Sequence, residues 1–168
     1  MNIFEIENLF YQNSSPNRIS KLLFHYELYK MTKNLEGHIV ECGVFKGSSL
    51  IRFISFTNIF KDKKKVYGFD AFGKFPLTNR REDKVFADSH NKNLGNGISL
   101  KNLNKILKRK KFINFELIKG NILKTIDIFL KKRKKIKISI LHLDLDVYVA
   151  TKFTLEKFYP YIVKNGII

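Results

Sequence analysis

Val40-Glu41-Cys42-Gly43-Val44-Phe45-Lys46-Gly47-Ser48-Ser49 is followed, one apolar segment later, by Val66-Tyr67-Gly68-Phe69-Asp70-Ala71-Phe72. An apolar run ending in an acid, a Gly-x-x-x-Gly turn opening an apolar helix, and a second short apolar run ending in an acid together describe a nucleoside-binding strand-helix-strand unit. Gly43 and Gly47 flank the turn. Lacking a Cβ, they let the backbone approach a ligand and turn helix-start N–H groups toward it. A carboxylate at Asp70 can accept both hydroxyls of a ribose, so the expected ligand is an adenosine-containing cofactor.

The same geometry serves NAD and S-adenosylmethionine, and two details favour the methyl donor. The turn is not the tighter Gly-x-Gly-x-x-Gly of dinucleotide sites. In addition, an acid, Glu41, stands at the end of the first strand, where it would repel a pyrophosphate and suit a sulfonium or an ammonium.

Working outward, His38 to Cys42 reads as the first strand, Ser48 to about Phe60 as a helix apolar around most of its circumference, and Lys65 to Asp70 as the second strand. Such a crossover is almost always right-handed. Upstream, Ser15-Pro16 offers a cap and a first-turn proline. Ile19, Leu22, Leu23, Tyr26 and Tyr29 then recur at helical spacing to about Thr32, a lead-in helix ended by Gly37. Downstream, residues 71–97 have no period and exceed an ordinary connection of about 4 to 6 residues. Because this stretch leaves from the carboxyl end of a strand, a lid or substrate loop is expected.

Ser99 can cap a helix through Leu107, and Ile113 to Lys119 form a third strand closed by Gly120-Asn121. Ile122 to Leu130 form a helix, and Ile136 to Asp144 a fourth strand. A helix from Thr151 to about Tyr159 and the opening of a fifth strand at Gly166-Ile167-Ile168 complete the pattern. His142-Leu143-Asp144-Leu145-Asp146 places two carboxylates at the carboxyl end of strand four, oxygen ligands suited to a hard cation such as Mg²⁺. The competing reading is that one of them caps the next helix. His142 reads as a core histidine, and His25, His38 and His90 carry no spacing of their own.

With 168 residues and 44% apolar content the chain builds one sizeable core. Charge interrupts every apolar segment well before the roughly 18 residues of a membrane span, and the acidic start is no signal peptide. A soluble, cytoplasmic protein is therefore expected. Cys42 is the only cysteine, which excludes an intrachain disulfide and suits a buried, inert thiol. The net charge of +17 raises a nucleic acid as partner. However, thirteen of the 32 basic residues lie in three runs, at 61–65, 108–111 and 131–135, each just before a strand. In an open α/β sheet the ligand crevice lies at the opposite, carboxyl ends. The charge is accordingly assigned to solvated loops.

The blocks at 37–47, 69–76, 119–121 and 141–148, with Thr151-Lys152, Tyr159-Pro160 and Gly166-Ile167-Ile168, give the chain from about residue 15 onward a resemblance to the macrocin O-methyltransferase (TylF-type) family. The resemblance implies a Rossmann-like class I methyltransferase with a parallel sheet in order 3-2-1-4-5. A helical lead-in over 1–36 would precede an S-adenosylmethionine-binding domain over 37–168. It also implies Mg²⁺-assisted methylation of a hydroxyl, characteristically on a sugar.

By position, Glu41, Gly43, Val44, Lys46, Gly47 and Ser48 form the cofactor turn. Asp70 faces the ribose, Ala71 and Phe72 beside it also bind the cofactor, and Gly120 and Asn121 face the adenine. Asp144 and Asp146 are the metal and catalytic carboxylates. The family continues past strand five into an Asp-Asp pair and an edge hairpin. A chain ending at Ile168 is thus expected to be truncated, with an exposed edge through which copies could associate. A catalytically silent cofactor-binding module and a nucleic-acid methyltransferase are the alternative readings, with a nicotinamide oxidoreductase least favoured.

Overall fold

A computed structural model describes residues 2–75 and 81–168, apart from the Glu82 side chain. Two helices, α1 (Ile3–Asn13) and α2 (Pro16–Thr32), precede β1 (His38–Cys42), α3 (Ser48–Ile59) and β2 (Val66–Asp70). Next come α4 (Arg81–Asn93), α5 (Leu100–Arg109), β3 (Phe115–Lys119) and α6 (Ile122–Lys132). The chain continues with β4 (Ile138–Leu143), α7 (Tyr148–Phe158), a 3-10 turn over Tyr159–Tyr161 and β5 (Ile162–Ile167). All strand pairs are parallel, in the order β3-β2-β1-β4-β5. That is the order expected; of the quoted blocks, Pro76 lies outside the described residues, as do residues 77–80 of the expected loop.

The pleat explains the layers, because successive side chains leave a strand on opposite faces. Ile39 and Val66 enter one buried cluster with Tyr29 of α2, Phe53 of α3 and Leu103 of α5. Val40 and Tyr67, one residue on, enter the other cluster with Ile126 of α6 and Phe158 of α7. Each such side chain stabilises the fold by roughly 1.5–3 kcal/mol, so the two-sided core is what keeps the strand ends in register. Cys42 is fully buried in the second cluster, and its surroundings push the thiol pKa well up, as an inert cysteine requires.

Four elements differ from the sequence reading. The acidic start forms α1, held by a reciprocal cap between Asn2 and Glu5 and burying none of its residues. The supposed loop at 71–97 contains α4, of whose described residues only Asp83 and Ala87 are buried. Helix α7 begins at Tyr148, three residues before Thr151, with Val147 at its cap position and no side-chain cap. Neither Asp144 nor Asp146 therefore serves as a cap. Strand β5 begins at Ile162 rather than Gly166. Its exposed Lys164 and Asn165 break the apolar pattern, as an edge strand tolerates.

The basic runs sit on the amino-end rim, and several of their members are structural. Glu116 receives Arg133 at 2.6 Å and Lys65 at 2.8 Å, while the Arg133 guanidinium lies 4.6 Å from the Phe129 ring centroid. Lys64 is buried and donates to the carbonyls of Leu35 and Gly37. Among the described residues no helix is long and apolar enough to cross a membrane.

Candidate active site

At the carboxyl rim the strand ends are tied to one another by backbone hydrogen bonds. Gly43 N–H donates to the Phe69 carbonyl at 2.9 Å, Asp144 N–H to Cys42 at 2.9 Å, and Gly120 N–H to Asp70 at 2.9 Å. Gly43 has φ +94°, and a Cβ there would lie 1.9 Å from the Asp144 carbonyl oxygen. The glycine is thus required where β1 passes the end of β4, whereas the sequence suggested a ligand as the reason.

Asp70 organises the turn. Its Oδ2 accepts from Val44 N–H at 2.8 Å and Phe45 N–H at 2.9 Å, and its Oδ1 accepts from Phe72 N–H at 2.6 Å. A carboxylate offers about four lone-pair sites. Three are in use, which leaves room for one ribose hydroxyl without rearrangement, where the sequence suggested two. Phe45, Phe72 and Asp146 all adopt left-handed backbone conformations, with φ +49°, +53° and +59°. Non-glycine residues held there concentrate at functional sites.

A cavity of about 330 Å³ opens between these strand ends, at the lower end of the range of small-molecule sites. Of the residues expected at the site, Gly43, Asp70, Ala71, Gly120, Asn121, Asp144 and Asp146 line it. Glu41, Val44, Lys46, Gly47, Ser48 and Phe72 do not. Val44 and Phe72 are buried beside the cavity as amide donors to Asp70, and Gly47 packs under Leu103. Ser48 begins α3 on its exposed side. Lys46 instead donates to the Asn96 carbonyl at 2.5 Å. Asn121 Oδ1 accepts from Leu123 N–H at 3.0 Å and so caps α6, which leaves the amide NH₂ as the free group for a base.

Glu41 is fully buried behind Gly43. Its Oε1 accepts from the Ser49 hydroxyl at 2.5 Å, and its Oε2 has no partner. Burial, with Asp144 and Asp70 nearby, pushes its pKa up to about 8 against the pull of Ser49 and Arg52. Near neutral pH the carboxyl holds a proton, so it neither repels a pyrophosphate nor attracts a sulfonium. That argument from the sequence does not survive the structure. His142 lies on the same face of the sheet in an aromatic cluster, 5.2 Å from His25 and 5.7 Å from Phe53.

The lining residues that the sequence did not single out come from the turn, from the segment after β2, from the end of β4 and from the starts of α6 and α7. Phe45, Gly73, Phe75, His90, Gly97 and Leu145 line the cavity. Described residues of the segment are pinned by hydrogen bonds: Gly97 N–H donates to Gly73 at 2.8 Å, Ile98 N–H to Phe45 at 2.7 Å, and Phe75 N–H to the Asn91 side chain at 3.0 Å. The length and exit point of residues 71–97 were the signal that could have found them. On the opposite wall, burial and Asp144 raise the pKa of Asp146, while His90 and Lys21 draw it back.

A model of the macrocin-O-methyltransferase (TylF) family matches residues 18–168. The chain belongs to the TylF family. Its fold agrees with solved structures of methyltransferases at low identity. CalS11, a calicheamicin methyltransferase, superposes with TM-score 0.70 at 21% identity, over 99% of this chain and 70% of that one. The apo structure of CalS11, described as a TDP-rhamnose 3'-O-methyltransferase, gives 0.67 at 22% over 99% and 69%. The O-methyltransferase NovP gives 0.71 at 20% over 86% and 61%. Among curated proteins none matches. This TylF-family chain is thus a methyltransferase built on the 3-2-1-4-5 sheet.

Proposed function

We propose that the chain transfers the methyl group of S-adenosylmethionine to a hydroxyl of a sugar. The observation that carries the reading is the meeting of Gly43, Asp70, Asn121 and Asp144 at one cavity on the carboxyl rim of a TylF-family sheet. In such sheets ligands bind outside the carboxyl ends of the strands, where the strand order reverses. Here that point lies between β1 and β4. The family and the sugar acceptor of CalS11 supply the substrate class.

In this arrangement Asp70 holds one ribose hydroxyl, the Asn121 amide faces the adenine, and Gly43 leaves the methionine portion close to the backbone. Methyl transfer is an in-line displacement: the acceptor oxygen forms a bond to the methyl carbon as the carbon–sulfur bond breaks. The sulfonium thereby becomes a neutral thioether, and the hydroxyl proton must leave. Much of the acceleration comes from holding oxygen and methyl in line. Asp146, whose pKa is raised, is suited to take the proton, and Asp144 beside it to orient the hydroxyl.

The Mg²⁺ that the family resemblance implies would be held by Asp144 and Asp146, and when bound it would orient the acceptor and lower the pKa of its hydroxyl. Among the described residues no third His, Cys, Asp or Glu joins them. Two carboxylates are what a Mg²⁺ that keeps its waters ordinarily uses.

Two titrations test the proposal. S-adenosylhomocysteine should bind with a stoichiometry of one, and labelled methyl from S-adenosylmethionine should appear on TDP-rhamnose or a related nucleotide sugar. Binding without transfer to any sugar would instead favour a silent cofactor-binding module.

A further inference from the structure

Phe45, Phe75 and His90 make a surface that the cofactor reading does not use. The His90 ring centroid lies 5.1 Å from Phe45 and 5.2 Å from Phe75, with Phe86 behind it at 5.9 Å. The groups assigned to the adenosyl portion, Asp70, Gly120 and Asn121, come from the ends of β2 and β3 and the loop after β3. The aromatic group comes instead from the β1 turn and the pinned segment at 71–98. It shares the cavity with Asp144 and Asp146.

Two features mark this surface as more than core packing. Phe45 occupies a left-handed backbone conformation, φ +49°. That conformation costs on the order of 1–3 kcal/mol for a bulky residue, and it persists where the surroundings impose it for function. His90 Nδ1 is buried with no hydrogen-bond partner, and no hydrogen bond of Nε2 occurs among the described residues. Among the described residues the ring is held by aromatic packing, and a buried imidazole nitrogen left unpartnered in a native fold calls for a reason.

Resting on the proposed function, we infer that Phe45, Phe75 and His90 form the wall that receives the acceptor's sugar ring. The apolar C–H face of a pyranose lies on the phenyl rings, and one of its hydroxyls meets the His90 imidazole. A pyranose has one face of C–H groups and a rim of hydroxyls. It therefore fits a site with aromatic faces on one side and a few convergent polar groups on the other. Asp144 and Asp146 are polar groups of the same cavity. The wall thus positions the sugar ring and sets which hydroxyl is presented to the methyl group.

The test uses the full chain saturated with S-adenosylhomocysteine and TDP-rhamnose as the probe. Sugar binding is read by saturation-transfer NMR and calorimetry. The expected result is saturation of the sugar ring protons on irradiating aromatic resonances. Affinity for the sugar should fall roughly 3- to 10-fold in Phe75→Leu and in His90→Ala, the size of one stacking contact or one hydrogen bond. S-adenosylhomocysteine affinity should stay within about twofold, and Phe75→Trp should restore sugar binding. Unchanged sugar affinity in both variants overturns the inference. So does a loss confined to S-adenosylhomocysteine, which would make the wall part of the cofactor site, or absence of sugar binding in a chain that binds S-adenosylhomocysteine. Failure of the unaltered chain to bind S-adenosylhomocysteine would instead sink the methyl-transfer reading itself, and the inference with it.

Discussion

Replacing Gly43 with alanine should damage this protein far more than one methyl group ordinarily does. The new Cβ would stand 1.9 Å from the Asp144 carbonyl oxygen and 2.6 Å from its carbon, where real Cβ contacts essentially never come under 3.0 Å. The β4 end must therefore retreat by at least about 1.1 Å, the difference between 3.0 and 1.9 Å. The hydrogen bond from Asp144 N–H to the Cys42 carbonyl, 2.9 Å, cannot survive such a retreat. Leaving one such buried group unpaired costs about 1–3 kcal/mol. The left-handed φ of +94° adds about 1–2 kcal/mol for a residue with a side chain.

The expected loss is about 2–5 kcal/mol, a large part of the roughly 5–15 kcal/mol of a typical domain. Gly73→Ala is the control, since its Cβ would meet nothing within 4 Å, and it should stay within about 0.5 kcal/mol of the unaltered chain. Urea denaturation followed by circular dichroism reads both variants. If Gly43→Ala unfolds within about 1 kcal/mol of the unaltered chain, the close passage of β1 and β4 is not what demands the glycine.

Glu41 gives a pH prediction. Its folded pKa of about 8 exceeds the unfolded value of 4.5, so the folded state binds more protons between them. Its stabilising contribution is full below about pH 4.5 and is lost as pH rises through 8. Glu41→Gln should flatten that decline by a few kcal/mol, and denaturation midpoints at pH 6 and pH 9 that move equally in both proteins would refute it. Asp70→Asn removes a charged acceptor shared by three amides. Stability should drop by about 1–3 kcal/mol and S-adenosylhomocysteine affinity should fall; calorimetry with unchanged affinity would detach Asp70 from the cofactor. Asp146→Asn should lower methyl transfer by about 10²–10⁴ with S-adenosylhomocysteine affinity preserved, and a variant of near-normal turnover would exclude Asp146 as the proton acceptor. Chelation with EDTA should lower transfer and leave S-adenosylhomocysteine binding intact if Asp144 and Asp146 hold Mg²⁺, whereas transfer indifferent to EDTA argues for the carboxylates alone.

Strands β1 to β4 and helices α2, α3, α5 and α6 were legible because each carries its own apolar period and end signals, such as the Ser99 side chain accepting from Asn102 N–H at 3.2 Å. The convergence of Asp70, Asn121 and Asp144 was also legible, since parallel strands deliver their carboxyl ends to one rim. What depended on contacts between distant segments was not. The protonation of Glu41 follows from burial that only the packed sheet and α3 create. The need for Gly43 lies in a carbonyl about a hundred residues further on. Helix α4 escaped notice because Arg81–Asn93 is mostly polar and, of its described residues, only Asp83 and Ala87 are buried. With it went His90, whose partners Phe45 and Phe75 are remote in sequence.

The central claim is that one rim of the sheet holds an adenosyl ligand between Gly43, Asp70 and Asn121. A crystal structure of the chain grown with S-adenosylhomocysteine tests this directly. The account predicts a ribose hydroxyl on Asp70 Oδ1, the adenine beside Asn121, and the sulfur facing Asp144 and Asp146. Density for the ligand at any other surface, or a cavity still empty at saturating ligand, would contradict it.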